Sequence, residues 1–89
     1  MVRVIIEGRV QGVGFRFWTE RLAAEHHISG WVRNRGDGAV EALFCGRTDD
    51  VAAMLARCQR GPSAARVAAV KVSDVSGETP LGFTVRESA

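Results

Sequence analysis

The fold is decided by one stretch near the N-terminus, residues 6–16, with the sequence IEGRVQGVGFR. It overlaps an apolar, β-branched run that predicts a strand over residues 2–7. Beyond the loop, four residues recur near helical spacing and predict a helix: Phe15, Trp18, Leu22 and His26. A glycine-spaced loop between a strand and a helix can wrap its backbone N–H groups around an anion. The stretch therefore predicts an anion site at a strand-to-helix junction.

The remainder of the chain continues as alternating strands and helices. Strands are predicted over residues 31–34 and 39–45, joined by a hairpin turn at Asp37-Gly38, because Asp-Gly tolerates the positive φ angles of such turns. Thr48 is predicted as the N-cap of a second helix, with Asp49 and Asp50 facing its dipole. Its apolar stripe is Val51, Met54, Leu55 and Cys58, and residues 61–63 end it.

Two further strands, over residues 67–75 and 83–85, complete the order βαββαβ with a short extra C-terminal strand. This order predicts an α+β fold of the ferredoxin-like type. In this two-layer α/β sandwich, two helices cover one face of a mostly antiparallel sheet.

Length and composition limit the possible functions. The 89 residues suffice for one hydrophobic core, which predicts a single domain over residues 1–89. A formal net charge of only +2, without a long basic run, gives little case for a nucleic-acid partner. No apolar stretch approaches the length of a membrane span, and the N-terminus lacks a signal-peptide pattern. We therefore expect a cytoplasmic protein without a membrane partner.

The two cysteines, Cys45 and Cys58, have no CxxC spacing and are predicted to be buried free thiols. A zinc site would need more ligands than these thiols, His26 and His27 bring together. The sequence therefore predicts neither a disulfide framework nor a metal centre.

Arg16 and Asn34 are the side chains with the clearest chemical potential. Arg16 falls in the first helical turn, where its guanidinium could close over an anion held by the loop; it could also pair with Glu20 one turn later. Asn34 ends a predicted strand and could serve only the turn that follows. The residues alone leave these alternatives open.

Two segments resemble the signatures of the acylphosphatase family. Residues 8–16, GRVQGVGFR, are similar to that family's phosphate loop and catalytic arginine. Residues 30–34, GWVRN, followed by Gly38, Val40 and Gly46, are similar to its second signature. Chain length and element order also agree, so the resemblance spans nearly the whole chain.

The resemblance implies hydrolysis of the carboxyl–phosphate bond of acyl phosphates, giving a carboxylate and inorganic phosphate. It implies that Arg16 binds the phosphate, that Asn34 orients the attacking water, and that no metal or other cofactor takes part. It also implies that the phosphoryl oxygens are cradled by the backbone amides of Arg9, Val10, Gln11, Gly12 and Val13. The Gln11 side chain is expected to stabilise the loop, and nothing requires more than a monomer.

Two alternatives differ in class from this enzyme. One is a non-catalytic module that binds phosphate or carbamoyl phosphate, like the acylphosphatase-like parts of larger maturation enzymes. The other, more distant, is a nucleic-acid-binding ferredoxin-like domain. The chain departs from the family pattern at its C-terminus: the run Phe83-Thr84-Val85-Arg86 is followed by Glu87-Ser88-Ala89, and there is no tyrosine.

Overall fold

The computed structural model describes residues 1–88 and contains two helices and five strands. In chain order these are β1 (Val2–Arg9), α1 (Phe15–Glu25), β2 (Ser29–Asn34), β3 (Val40–Cys45), α2 (Thr48–Cys58), β4 (Arg66–Asp74) and β5 (Phe83–Val85). The order confirms the predicted ferredoxin-like α+β fold with its short additional strand.

The strands form one sheet in the order β4-β1-β3-β2-β5, antiparallel except for the pairing of β2 with β5. β1 and β2 both pair antiparallel with β3, which lies between them, so they run in the same direction and end at the same edge of the sheet. The register shows this directly, because Val40 of β3 pairs with both Ile6 and Asn34. This topology brings the β1–α1 loop beside the end of β2.

The hydrophobic core fills the space between the helices and one face of the sheet. Side chains alternate between the two faces of a strand, so every second residue points into this core. The largest of the fully buried side chains are Phe15, Phe44, Ile6, Met54 and Val4. Phe15, the first residue of α1, thereby anchors the start of that helix against the sheet.

Glu41 lies on the opposite face of the sheet but is only 3% exposed. Its carboxylate pairs with Arg3, and with Arg33 at a distance of 2.7 Å between Nη2 and Oε1. Burial raises the pKa of Glu41, but the hydrogen bonds and charges of both arginines outweigh it and hold the pKa below its ordinary value. Arg33 therefore forms an ion pair with Glu41 on this face of the sheet. Its neighbour Asn34 lies on the other face, which the helices cover.

Four of the five predicted strands differ from the observed bounds by one or two residues, and two local predictions were wrong for reasons that the structure shows. β2 begins at Ser29, two residues earlier than predicted, because Gly30 continues the strand instead of breaking it. A Cβ atom at Gly30 would lie 1.8 Å from the carbonyl oxygen of Leu43, so glycine permits this close approach of two strands. Thr48 is the first residue of α2 and not its N-cap; Arg47 takes the cap position in extended conformation, without a side-chain capping bond.

The cysteines are buried and free, as predicted. Desolvation by burial raises the pKa of Cys58 to about 12, so its thiol remains protonated and packs as an apolar group. Neither helix within residues 1–88 has the length and apolarity that a bilayer crossing requires.

Candidate active site

The junction between β1 and α1 leaves the N-terminus of the helix open. Gly14 takes the N-cap position with φ 79° and ψ 19°, a left-handed conformation that glycine adopts without strain. No side chain caps the helix, and its first turn contains no acidic residue. The first four N–H groups of a helix have no partner within the helix. In α1 these donors, and the positive end of the helix dipole, are therefore available to an anion.

A cavity of about 120 Å³ lies at this end of the sheet. It is lined by Val10, Gly12, Gly14, Phe15, Arg16, Phe17 and Asn34. The structure thus brings together both predicted catalytic side chains and two residues of the predicted phosphate loop. Arg9, Gln11 and Val13 flank those loop residues without lining the cavity.

Gln11 fixes the loop in place. Its Nε2 donates hydrogen bonds to the carbonyl oxygens of Arg35, at 2.7 Å, and Ala39, at 3.0 Å. Both acceptors belong to the connection between β2 and β3. The Gln11 side chain therefore ties the β1–α1 loop to the hairpin that carries Asn34, which is the loop-stabilising role expected from the sequence.

Arg16 is held by the segment that follows β5. Its Nη1 donates to the carbonyl oxygen of Arg86 at 2.9 Å, and the Arg86 N–H donates to the carbonyl oxygen of Val32 at 2.8 Å. The guanidinium is thereby tethered to β2, the strand that ends at Asn34. Arg16 forms no ion pair within residues 1–88, so the alternative pairing with Glu20 is not formed. A guanidinium has five N–H donors, so most of its donors are left for a ligand.

Asn34 is the last residue of β2 and is half-buried. It pairs with Val40, and the turn begins only at the next residue, where the Arg35 N–H donates to the Ala39 carbonyl oxygen at 2.8 Å. Its amide is thus carried by the sheet and not by the turn. The site combines a tethered cation, an amide on the last residue of a strand and free helix N–H groups around one small cavity.

Sequence reasoning missed two features of this site. One is the Arg86 carbonyl group, whose role depends on tertiary contacts and not on its side chain. The other is Phe17, which lines the cavity while 61% exposed. The sequence signal for Phe17 was its position as an apolar residue outside the core stripe of α1.

A second cavity, of about 460 Å³, lies at the opposite end of the sheet and includes Met1 and Cys45 in its lining. The side chains around it carry no charge. Residues 1–88 contain no group of three or more His, Cys, Asp or Glu side chains arranged to hold a metal ion. The 120 Å³ cavity, in contrast, includes an arginine side chain and an open helix N-terminus in its lining, and this chemistry suits an anionic ligand.

Comparison with known proteins identifies the family. The family model described as Acylphosphatase matches residues 2–85. The chain belongs to the acylphosphatase family. An acylphosphatase from Nitrobacter hamburgensis is 60% identical over 74 residues, which are 83% of this chain and 75% of the relative. The crystal structure of an acylphosphatase from Bacillus subtilis has a TM-score of 0.91 and 34% identity, with 96% of each chain covered.

A part of a larger protein has the same fold. Full-length HypF, in a crystal structure of its phosphate- and nucleotide-bound form, matches with a TM-score of 0.87 and 28% identity. The match covers 98% of this chain but only 12% of HypF. The acylphosphatases, in contrast, are matched over most of their own length. It is accordingly a hydrolase of acyl phosphates that releases inorganic phosphate, as its sequence predicts.

Proposed function

We propose that the 120 Å³ cavity is the active site for this hydrolysis and that it works without a metal ion or other cofactor. Arg16 binds the phosphoryl group, and Asn34 orients the attacking water. The phosphoryl oxygens are cradled by the backbone amides of Arg9, Val10, Gln11, Gly12 and Val13. The observation that carries this proposal is the convergence of Arg16, Asn34 and the open helix N-terminus on one cavity.

The residue types suit the chemistry. A carboxylate is a good leaving group, so the reaction needs little help from a general acid. Phosphoryl transfer depends mainly on positioning and on neutralising the charge of the equatorial oxygens. The planar guanidinium of Arg16 matches two such oxygens, and its charge is permanent. The helix N-terminus adds further N–H donors and a positive potential.

The proposed reaction is a single displacement at phosphorus. The water oxygen forms a bond to phosphorus while the bond from phosphorus to the acyl oxygen breaks, and the carboxylate leaves with the electron pair. The carbonyl oxygen of the Asn34 amide accepts a hydrogen bond from the water, which fixes the direction of attack. Since neither Arg16 nor Asn34 is a strong base, a phosphoryl oxygen takes the proton of the water. A pH–rate profile with a basic limb belonging to a protein side chain would contradict this last step.

The first experiment measures hydrolysis of benzoyl phosphate by the purified protein in the presence of a chelator. We expect rapid turnover and competitive inhibition by inorganic phosphate. A folded protein that binds phosphate without turnover would instead be the non-catalytic phosphate- or carbamoyl-phosphate-binding module. Activity that is lost in chelator and restored by a divalent ion would overturn the metal-independent mechanism.

Asn34→Ala separates catalysis from binding. We expect kcat to fall by about 10²- to 10³-fold, the usual effect of removing one preorganised polar contact. The inhibition constant of inorganic phosphate should change little, because Arg16 and the loop amides are intact. Gln59→Ala, which removes an exposed amide at the end of α2, is the matched control and should be neutral. Near-normal turnover in Asn34→Ala would remove this residue from the mechanism.

We also propose that the protein acts as a monomer in the cytoplasm, without nucleic acid or membrane as a partner. Arg16, Asn34 and the N-terminus of α1 meet at the cavity within a single copy of the chain, which supports a monomer. The buried, unpaired Cys45 and Cys58 suit a reducing compartment. Size-exclusion chromatography combined with light scattering tests the monomer.

A further inference from the structure

Phe17 is exposed at the rim of the proposed active site. It lies in the first turn of α1, directly after Arg16, and its side chain is 61% exposed. The other aromatic side chain in this turn, Phe15, is 2% exposed and belongs to the core. Because Phe17 lines the cavity and is also exposed, a ligand that occupies the cavity can cover part of its surface.

The size of the cavity places part of the substrate outside it. Pockets that enclose a drug-sized ligand measure about 300–1,000 Å³, whereas this cavity measures about 120 Å³. It therefore suits a phosphoryl group and its attacking water, while the acyl group extends to the rim. In an acyl phosphate only one bridging oxygen separates the carbonyl carbon from phosphorus. The acyl group must accordingly lie against residues adjacent to those that hold the phosphoryl group.

Phe17 offers that acyl group an apolar surface. Val10 and Phe15, the other large apolar side chains in the lining, are buried, so their contribution to the rim is small. An aromatic or extended apolar acyl group can cover the ring, and aromatic pairs gain further from offset or edge-to-face contact. An acetyl or carbamoyl group is too small to cover much of it.

We propose that Phe17 is the acyl-binding platform of this enzyme and makes it selective for acyl phosphates with aromatic or extended apolar acyl groups. This inference rests on the function proposed above. The ring contacts the acyl group both before and during the reaction, so its contribution is uniform binding. Loss of the ring therefore raises KM and leaves kcat nearly unchanged.

The test compares kcat/KM for benzoyl phosphate and acetyl phosphate in the wild-type protein and in Phe17→Ala. We expect kcat/KM for benzoyl phosphate to fall about tenfold, the lower end of the discrimination that one methylene gives in an enclosed apolar pocket. With acetyl phosphate the value should remain within about twofold. Inhibition by inorganic phosphate should be unchanged, because phosphate has no acyl group.

Two further variants complete the design. Phe17→Leu keeps an apolar side chain and should give an intermediate value for benzoyl phosphate. Leu81→Ala removes another exposed apolar side chain, 98% exposed and outside the cavity lining, and should leave both substrates unaffected. Equal effects on benzoyl and acetyl phosphate, or no effect on either, would overturn the acyl platform while leaving the hydrolase intact. A wild-type protein that hydrolyses neither substrate would overturn the proposed function itself.

Discussion

The two helices of this protein have the same length of 11 residues but begin in opposite ways. The first turn of α2 contains Asp49 and Asp50, whose carboxylates face the positive end of the helix dipole. The first turn of α1 has no acidic residue, and glycine occupies its N-cap. One helix thus carries its own anions, while the N-terminus of the other is open to the phosphate proposed above.

The arginines at these two helix ends also differ in whether a carboxylate pairs with them. Arg47, before α2, has an 82% exposed side chain and pairs with Asp49 at 3.5 Å between Nε and Oδ1. Arg16, in the first turn of α1, is tethered by the Arg86 carbonyl group and has no carboxylate partner within residues 1–88. The proposed anion site is thus marked by the charges that the fold omits as well as by those it supplies.

The largest effect is expected from replacing the arginine at α1. Arg16→Lys keeps the charge but loses the planar fork that matches two phosphoryl oxygens. An arginine that contacts a transferring phosphoryl group contributes about 10³- to 10⁵-fold in rate. We expect kcat/KM for benzoyl phosphate to fall by about 10³-fold, the lower end of that range, because lysine still supplies a positive charge.

The matched control for this variant is Arg47→Lys, the same substitution at the start of α2. It should leave the rate unchanged, since Arg47 lies outside the cavity lining. Circular dichroism should show both variants folded. A comparable loss of rate in the two variants would mean that the two helix ends do not differ in function.

The second-largest effect is expected from adding a carboxylate at the start of α1, where α2 already has two. A Cβ atom at Gly14 meets no other atom within 4 Å, and asparagine and aspartate are the residues that best tolerate its left-handed φ. Gly14→Asp therefore adds a carboxylate next to the proposed phosphate position. At about 4 Å, two unit charges repel by about 1–4 kcal/mol, depending on solvation. We expect the inhibition constant of inorganic phosphate to rise by about 10- to 100-fold.

Gly14→Asn is the control, because it has the same shape without the charge. Relative to it, Gly14→Asp should be more stable by about 0.3–1 kcal/mol, since a carboxylate near a helix N-terminus interacts favourably with the dipole. The pair is compared by phosphate inhibition and by thermal unfolding. Equal inhibition in the two variants would show that the anion does not bind at this helix end.

Features of this molecule that depend on neighbouring residues in the sequence were predictable. Features that depend on contacts between distant residues were not. The strand–loop–helix junction and the Asp37-Gly38 turn follow from local residue types, so the fold and the place of Arg16 were predictable. Gly30 was placed outside the predicted strand over residues 31–34, because its use within β2 depends on the close approach of Leu43. The Arg86 tether on Arg16 connects residues 70 positions apart through a backbone carbonyl group, which no side-chain pattern reveals.

The chain departs from the family pattern after Arg86. The Arg86 carbonyl group already supplies an acceptor for the guanidinium. A backbone acceptor does not depend on side-chain identity, so the atypical Glu87 and Ser88 are compatible with a positioned Arg16.

The smallest effect is expected at the start of α2. Replacing both carboxylates, in Asp49→Asn with Asp50→Asn, keeps an oxygen that can accept the 3.1 Å hydrogen bond from the Asp50 N–H but removes the charges. Each charge contributes about 0.3–1 kcal/mol to stability at low ionic strength. The exposed pair of Asp49 with Arg47 adds little. We therefore expect Tm to fall by a few degrees, with kcat/KM for benzoyl phosphate unchanged.

Thermal unfolding at low salt and at about 1 M salt separates charge from shape in this variant. The Debye length falls to about 3 Å at 1 M ionic strength, so the difference in Tm should shrink there. A difference independent of salt would mean that the carboxylates act through local packing and not through the dipole. If the variant also lost activity, α2 would contribute to the proposed active site. The contrast between α2, whose N-terminus carries its own carboxylates, and α1, whose N-terminus is proposed to bind phosphate, would then no longer hold.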